Sequence, residues 1–173
     1  MSGKTMPHDN GGNTNPACWM ARHALATLAY RASKAVRNAP ADFGIFRIGA
    51  TTRTPDEILA HMGDLMEWAL TMAQDRTQWR ERPVLVWAGN IDRLFSAITA
   101  LDECLASTAA VDTQLLLQLF QGPIADALTH TGQLTMLRRL AQSPVKGESY
   151  QRALIAVGQT NVDQPPPQRE FDS

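Results

Sequence analysis

The stretch Pro123–Leu140, PIADALTHTGQLTMLRRL, carries the pattern that decides both the fold class and the candidate site. Its apolar residues recur at helical spacing, and Pro123 is predicted to occupy the first helical turn, where the missing backbone N–H costs nothing. Asp126 and His130 are four residues apart, so an α-helix places both side chains on one face, one turn from each other. The stretch therefore predicts a helix that brings a carboxylate and an imidazole to one point.

A third polar side chain lies in the other strongly periodic segment, TPDEILAHMGDLMEWAL, which begins at Thr54. Thr54 is predicted to cap this helix together with Glu57, in the reciprocal arrangement known as a capping box. His61 then falls on the inward stripe of the helix, between Ile58 and Leu65. We expect this helix to end near Gln74.

Carboxylates and imidazoles are ordinary ligands of divalent metals, so His61, Asp126 and His130 form a predicted metal site. Gln133, close to one turn after His130, is predicted to hydrogen-bond behind the site. Glu57, one turn before His61, is a second candidate for that role, although helix capping explains it fully.

Plainer interpretations of the same residues remain open. A histidine on an apolar stripe is most often a satisfied core residue, and an Asp–His pair four residues apart often lies exposed on a helix surface. A buried carboxylate costs several kcal/mol unless a cation accompanies it, and we therefore expect a metal beside Asp126 if that side chain is buried.

The rest of the chain also reads as helical. Asn15 and Pro16 predict a helix start, and that helix is expected to run to about Asn38. The other segments that we expect to be helical are 86–107, 113–120 and 148–157. With no alternating strand pattern and no repeat, the sequence predicts an all-α four-helix bundle with short extra helices.

The segments between these helices have their own expected roles. Residues 39–53 include Phe43, Ile45, Phe46 and Ile48, which are predicted to cover one end of the bundle. Residues 75–83 form a polar loop, and Asp64 and Glu67 are predicted to be solvated. Residues 1–15 form a flexible lead, 16–157 the helical domain, and 158–173 a proline-rich extended tail.

The composition excludes several classes of function. The net charge is −1 and no basic run is present, which argues against nucleic-acid binding. The longest apolar runs fall short of the roughly 20 residues that a membrane span needs. The two cysteines, Cys18 and Cys104, are far apart and are expected to be free thiols. We therefore expect a cytoplasmic protein.

Two segments resemble helices of the DinB-like superfamily, the DinB/YfiT-type four-helix bundles. THTGQLTMLRRL resembles the helix that typically reads H-x-x-x-H-R-G-Q, and RTPDEILAHMGDLMEWAL resembles the helix that carries the first metal histidine. The resemblance implies a site of three ligands, of which His61 matches the first, Asp126 the second and His130 the third. The chain departs from the family pattern at Asp126, where histidine is usual, and at Thr131, where arginine is usual.

The resemblance also implies a function. The family's metal is often nickel or zinc, and an aspartate ligand also suits iron or manganese. Its members include thiol-dependent transferases, a hydrolase and an isomerase, and they often form homodimers. We therefore expect a metal-dependent enzyme acting on a small molecule or a low-molecular-weight thiol. The alternative is a non-enzymatic stress-response or interaction protein with a structural or vestigial metal site. No catalytic base or cofactor-binding residue beyond the ligands is identifiable.

Overall fold

The structure is a computed structural model that describes residues 15–108 and 110–171; the predicted flexible lead, apart from Asn15, lies outside them. Two short 3₁₀ turns, Phe43–Ile45 and Tyr150–Arg152, accompany the helices. Throughout the described part of the chain no strand is present, and the protein is all-α as predicted. The helices are α1 (Pro16–Val36), α2 (Pro55–Ala73), α3 (Trp87–Ser107), α4 (Thr113–Leu119) and α5 (Ala125–Leu140).

The predicted helix starts of α1 and α2 are confirmed. The Asn15 side chain accepts a 2.9 Å hydrogen bond from the Ala17 backbone N–H. At α2, the Glu57 N–H donates to Thr54 Oγ1 at 3.2 Å, and the Thr54 N–H donates to Glu57 Oε2 at 2.6 Å. Both caps satisfy backbone donors that have no partner within the helix, which is why short sequence patterns suffice to predict them.

The predicted helix start at Pro123 is wrong. A π-helical turn, Phe120–Ile124, joins α4 to α5, and Pro123 lies inside it. The Ala125 N–H bonds to the carbonyl of Phe120, five residues earlier. Proline has no N–H to donate and its ring crowds the preceding turn, so a widened turn accommodates it where a regular α-helix would kink. The chain from 113 to 140 is consequently one continuous helical stretch.

The long helices pack around a shared apolar core of mainly Leu and Ala side chains. α2 lies against α3 and α5, and α1 lies against α3 and α5. Of the residues predicted to cover one end, Phe43 is buried and Phe46 is partly buried, whereas Ile45 and Ile48 are exposed, which contradicts the prediction for those two. None of the helices in the described residues combines the length and the apolar character needed to cross a lipid bilayer.

The predicted helix over residues 148–157 is also wrong, because only the turn Tyr150–Arg152 forms there. Glu148 is instead buried, accepting hydrogen bonds from the Tyr30 hydroxyl at 2.6 Å and from Lys34 Nζ at 2.7 Å. The tail continues along α1, where Ser33 Oγ donates to the carbonyl of Val162 at 2.6 Å. These long-range contacts outweigh the helical pattern of the segment.

Asp64 was predicted to be solvated, and this is wrong. It is buried on α2, where its carboxylate accepts hydrogen bonds from the Arg93 guanidinium and from the Arg82 backbone N–H. Glu67, one turn later, accepts a 2.8 Å bond from Arg93 Nε and keeps 32% of its side chain exposed. The charged pair therefore ties α2 to α3, and only Glu67 remains in contact with solvent.

Arg138 is a second buried charge, with 4% of its surface exposed. Its guanidinium donates to the carbonyls of Ala35, Arg37 and Asn38 at 3.0–3.1 Å, and also to the carbonyl and hydroxyl of Ser143. A cation at the end of a helix suits the negative pole of the helix dipole. Arg138, which lies on α5, thus provides hydrogen-bond donors for the carbonyls at the C-terminal end of α1.

Candidate metal centre

The packing of α2 against α5 brings the three predicted ligands together. His61 lies in the middle of α2, and Asp126 and His130 lie one turn apart near the start of α5. Asp126 Oδ2 is 3.6 Å from His61 Nε2, and Asp126 Oδ1 is 3.4 Å from His130 Nε2. The imidazole rings of His61 and His130 meet edge to face, with their centroids 4.9 Å apart.

The spacing of these atoms fits a metal ion better than a set of direct hydrogen bonds. N–H···O bonds in proteins span about 2.7–3.2 Å, and both carboxylate–imidazole distances exceed that range. Ligands held about 2.1 Å from an ion at the tetrahedral angle stand about 3.4 Å apart, which is close to both distances, each of which involves a different oxygen of Asp126. One ligand atom from each residue can be chosen so that all three lie within 4.8 Å of one another. The group His61, Asp126 and His130 can therefore hold a metal ion.

Gln133 orients His130 for this role. Its Oε1 lies 2.8 Å from His130 Nδ1. An amide oxygen only accepts hydrogen bonds, so Nδ1 is the donor of this bond, and in the neutral ring the lone pair lies on Nε2, the nitrogen beside Asp126. A hydrogen bond on the far ring nitrogen is the usual way in which a metal-binding histidine is held in one tautomer.

The surroundings of His61 also favour the form of imidazole that binds metals. Burial lowers the pKa of His61, and the neighbouring charges of His130 and Arg53 lower it further, against the opposing effect of Asp126. A lower pKa keeps the ring neutral, and neutral imidazole is the ligand species.

Asp126 is exposed, so the expectation that a metal compensates a buried carboxylate at this position does not apply. Its side chain is 47% exposed, compared with 23% for His61 and 11% for His130. A carboxylate that is half in water carries little desolvation cost, so its burial does not call for a cation. The exposure instead shows that the group opens to solvent on the side of Asp126.

Trp79 is a neighbour of the group that sequence reasoning missed. It belongs to the polar segment between α2 and α3, and its ring meets that of His61 at a centroid distance of 5.9 Å. Trp68 supports it from behind, with ring centroids 5.7 Å apart. Trp79 remains 41% exposed, and its ring forms an apolar, solvent-facing surface beside His61. A lone tryptophan among charged residues was the signal available in the sequence.

Glu57 is directed elsewhere. Its carboxylate accepts hydrogen bonds from the Thr54 backbone N–H and from the Arg47 guanidinium, and within the described residues no hydrogen bond joins it to His61. These bonds to Thr54 and Arg47 lower the pKa of Glu57. Its observed contacts are those of a helix cap.

Comparisons of the chain with protein-family models, with curated proteins and with solved structures gave no match.

Proposed function

We propose that this chain is a DinB-like four-helix bundle that binds a divalent metal and acts as a metal-dependent enzyme on a small molecule, of the thiol transferase or hydrolase type. The observation that carries the proposal is the convergence of His61, Asp126 and His130, whose ligand atoms lie within 4.8 Å of one another. The order of the helices and the mutual packing of α1, α2, α3 and α5 support the bundle.

The donor set selects the class of metal. Two imidazole nitrogens and one carboxylate suit nickel or zinc, and also iron or manganese, whereas calcium and magnesium prefer oxygen ligands throughout. A metal held there would lower the pKa of a bound thiol or water and so supply a nucleophile at neutral pH. The hydrogen bond with Gln133 holds the His130 ring with Nε2 on the side of Asp126, and the Trp79 ring packs against His61.

The exposure of Asp126 favours an enzyme over a structural site. Structural zinc sites are closed by four protein ligands, whereas catalytic sites use three and leave room for water or substrate. Within the described residues the group contains three ligands, and the Asp126 side chain is 47% exposed. This arrangement leaves an accessible position for a small substrate.

Metal analysis tests the first step of the proposal. We expect protein purified without added chelator to contain close to one equivalent of a transition metal, measured by inductively coupled plasma mass spectrometry. Asp126→Asn keeps the shape of the side chain and removes its charge, so it should lower zinc affinity by more than the roughly 10–100-fold that is typical of outer residues. His23→Ala, on α1, is the matched control and should leave affinity unchanged.

A protein that takes up no zinc, nickel, iron or manganese would refute the metal site, and retention of full affinity in Asp126→Asn would remove Asp126 from it. The enzyme is tested by following consumption of low-molecular-weight thiols with electrophilic acceptors, in wild type and in His130→Ala. The second candidate, a non-enzymatic protein with a structural metal, gains if chelation lowers the melting temperature sharply while every such assay stays blank. Light scattering tests the homodimer that the resemblance implies.

A further inference from the structure

A basic pocket lies at the C-terminal end of α2, and none of the three candidate ligands lines it. It has a volume of about 210 Å³, which is below the roughly 300–1,000 Å³ of sites for drug-sized ligands. A cavity of this size suits a small ion or the charged end of a longer molecule. Its lining residues are Glu67, Trp68, Leu70, Thr71, Arg76, Gln78, Arg80 and Arg82.

The pocket owes its charge to the alternation of residues in the segment between α2 and α3. Arg76, Gln78, Arg80 and Arg82, which are every second residue, line the pocket, whereas Trp79 between them contacts His61. Alternate residues of the segment therefore line the pocket, and the residue between Gln78 and Arg80 contacts the candidate metal centre. One short segment therefore contributes to the metal centre with one face and to a basic pocket with the other.

The positive charge of the pocket is only partly compensated. Three arginines and one glutamate line it, which leaves a net charge of +2 among the lining residues. The Arg82 guanidinium is 3.2 Å from Glu67 Oε2, but the same carboxylate also accepts a bond from Arg93. Burial raises the pKa of Glu67, and the bonds from Arg93 and Arg82 outweigh that effect and lower it, so Glu67 stays ionised and shared between two cations.

The other two arginines have no anionic partner among residues 15–108 and 110–171. Arg76 donates through Nε and Nη2 to the neutral Gln74 Oε1, at 2.9 and 2.6 Å. Arg80 makes no hydrogen bond and no ion pair within that part of the chain. Guanidinium groups bind carboxylates and phosphates through paired N–H donors, and such groups are the natural complement of unpaired arginines.

We propose that this pocket is a binding site for a small oxyanion, either free or as the phosphate or carboxylate group of a metabolite, held by Arg76, Arg80 and Arg82. The site is distinct from the candidate metal centre and does not depend on it. The Trp68 ring lines the pocket and also contacts Trp79, which contacts His61. A bound anion would fix the segment that carries Trp79 and hold that ring against His61.

The test is isothermal titration of inorganic phosphate, and separately of citrate, into the full-length protein after removal of metals with a neutral chelator. Chloride balances the ionic strength, so that only binding of the oxyanion gives a saturable signal. We expect one site with a dissociation constant in the millimolar range or tighter. Tighter binding of phosphate would indicate a phosphorylated or free phosphate ligand, and tighter binding of citrate a polycarboxylate.

Arg80→Gln should weaken binding about tenfold or more, because it removes charge-assisted hydrogen bonds. Arg139→Gln, an exposed arginine at the end of α5, removes the same charge elsewhere and should change the constant by less than about twofold, since a distant exposed charge is largely screened. Arg80→Lys should retain part of the affinity. Arg80 is exposed, so the melting temperature of its variants should equal that of wild type.

Absence of saturable binding for both anions would overturn the proposal. An equal loss in Arg80→Gln and Arg139→Gln would also overturn it, because the binding would then reflect overall charge and not this pocket. Both results leave the metal analysis of the wild-type protein unaffected, so the two proposals fail independently.

Discussion

Replacement of Arg138 by alanine should cost the protein about 3–5 kcal/mol of unfolding free energy, because it removes a buried hydrogen-bond network. The side chain makes five hydrogen bonds, three of them to the last carbonyls of α1 and its cap. At about 0.5–1.5 kcal/mol each, five bonds contribute about 2.5–7.5 kcal/mol, and relief of the buried charge returns part of that amount. The carbonyls left behind would lack partners.

The neighbouring Arg139 provides the control, because it has the same side chain on the same helical turn and is exposed. Arg139→Ala should change stability by no more than about 0.5 kcal/mol. Urea unfolding followed by circular dichroism, with equal m-values, measures both variants. If Arg138→Ala and Arg139→Ala lie within about 0.5 kcal/mol of each other, the assignment of Arg138 as the closing residue of α1 is refuted.

Two further predictions concern close packing and pH. Gly44→Ala would place its Cβ 2.6 Å from Asp56 Oδ2 and should destabilise the fold by about 1–3 kcal/mol. Gly132→Ala would have nothing within 4 Å of its Cβ and should stabilise α5 by about 0.5–1 kcal/mol. Urea unfolding measures both changes. A destabilised Gly132→Ala or an unchanged Gly44→Ala would contradict this packing. The hydrogen bond from Lys34 lowers the pKa of Glu170 in the folded protein. The ion pair therefore stabilises the fold fully above pH 4.5, the ordinary pKa of a glutamate, and this stabilisation is lost as the pH falls through the pKa of Glu170 in the folded protein. The difference in unfolding free energy between wild type and Glu170→Gln should therefore shrink on acidification. A difference that stays constant with pH would show that the Lys34–Glu170 ion pair does not cause it.

The parts of the fold that the sequence predicts are those that depend on neighbouring residues. The caps at Asn15 and Thr54 and the pairing of Asp126 with His130 on one helical face all arise within one or two turns, and the structure contains each of them. The proximity of His61 to that pair requires the packing of α2 on α5. It was expected because His61 lies on the inward stripe of its helix, and the resemblance to a known arrangement of helices implies the same three residues.

The predictions that fail depend on partners distant in the chain. Asp64 was expected in solvent because its partner, Arg93, lies 29 residues away on another helix. Residues 148–157 were expected to be helical from their local pattern alone. That pattern cannot show that Glu148 accepts a hydrogen bond from Tyr30 on α1, 118 residues earlier. The exposure of Asp126 likewise depends on how two helices pack, which helical periodicity alone does not specify.

The π-helical turn Phe120–Ile124 means that the stretch from α4 to α5 contains one residue more than a regular helix of the same path would need. Deletion of a single residue there would let the stretch close into an unbroken α-helix. It would also turn α4 by about 100° relative to α5 and carry the buried side chains of Leu116 and Leu119 out of the core. The extra residue thus sets the rotation of α4, which buries Leu116 and Leu119, relative to α5, which contains Asp126 and His130. Insertions and deletions in this chain should therefore be tolerated far less at this turn than in the loop between α2 and α3.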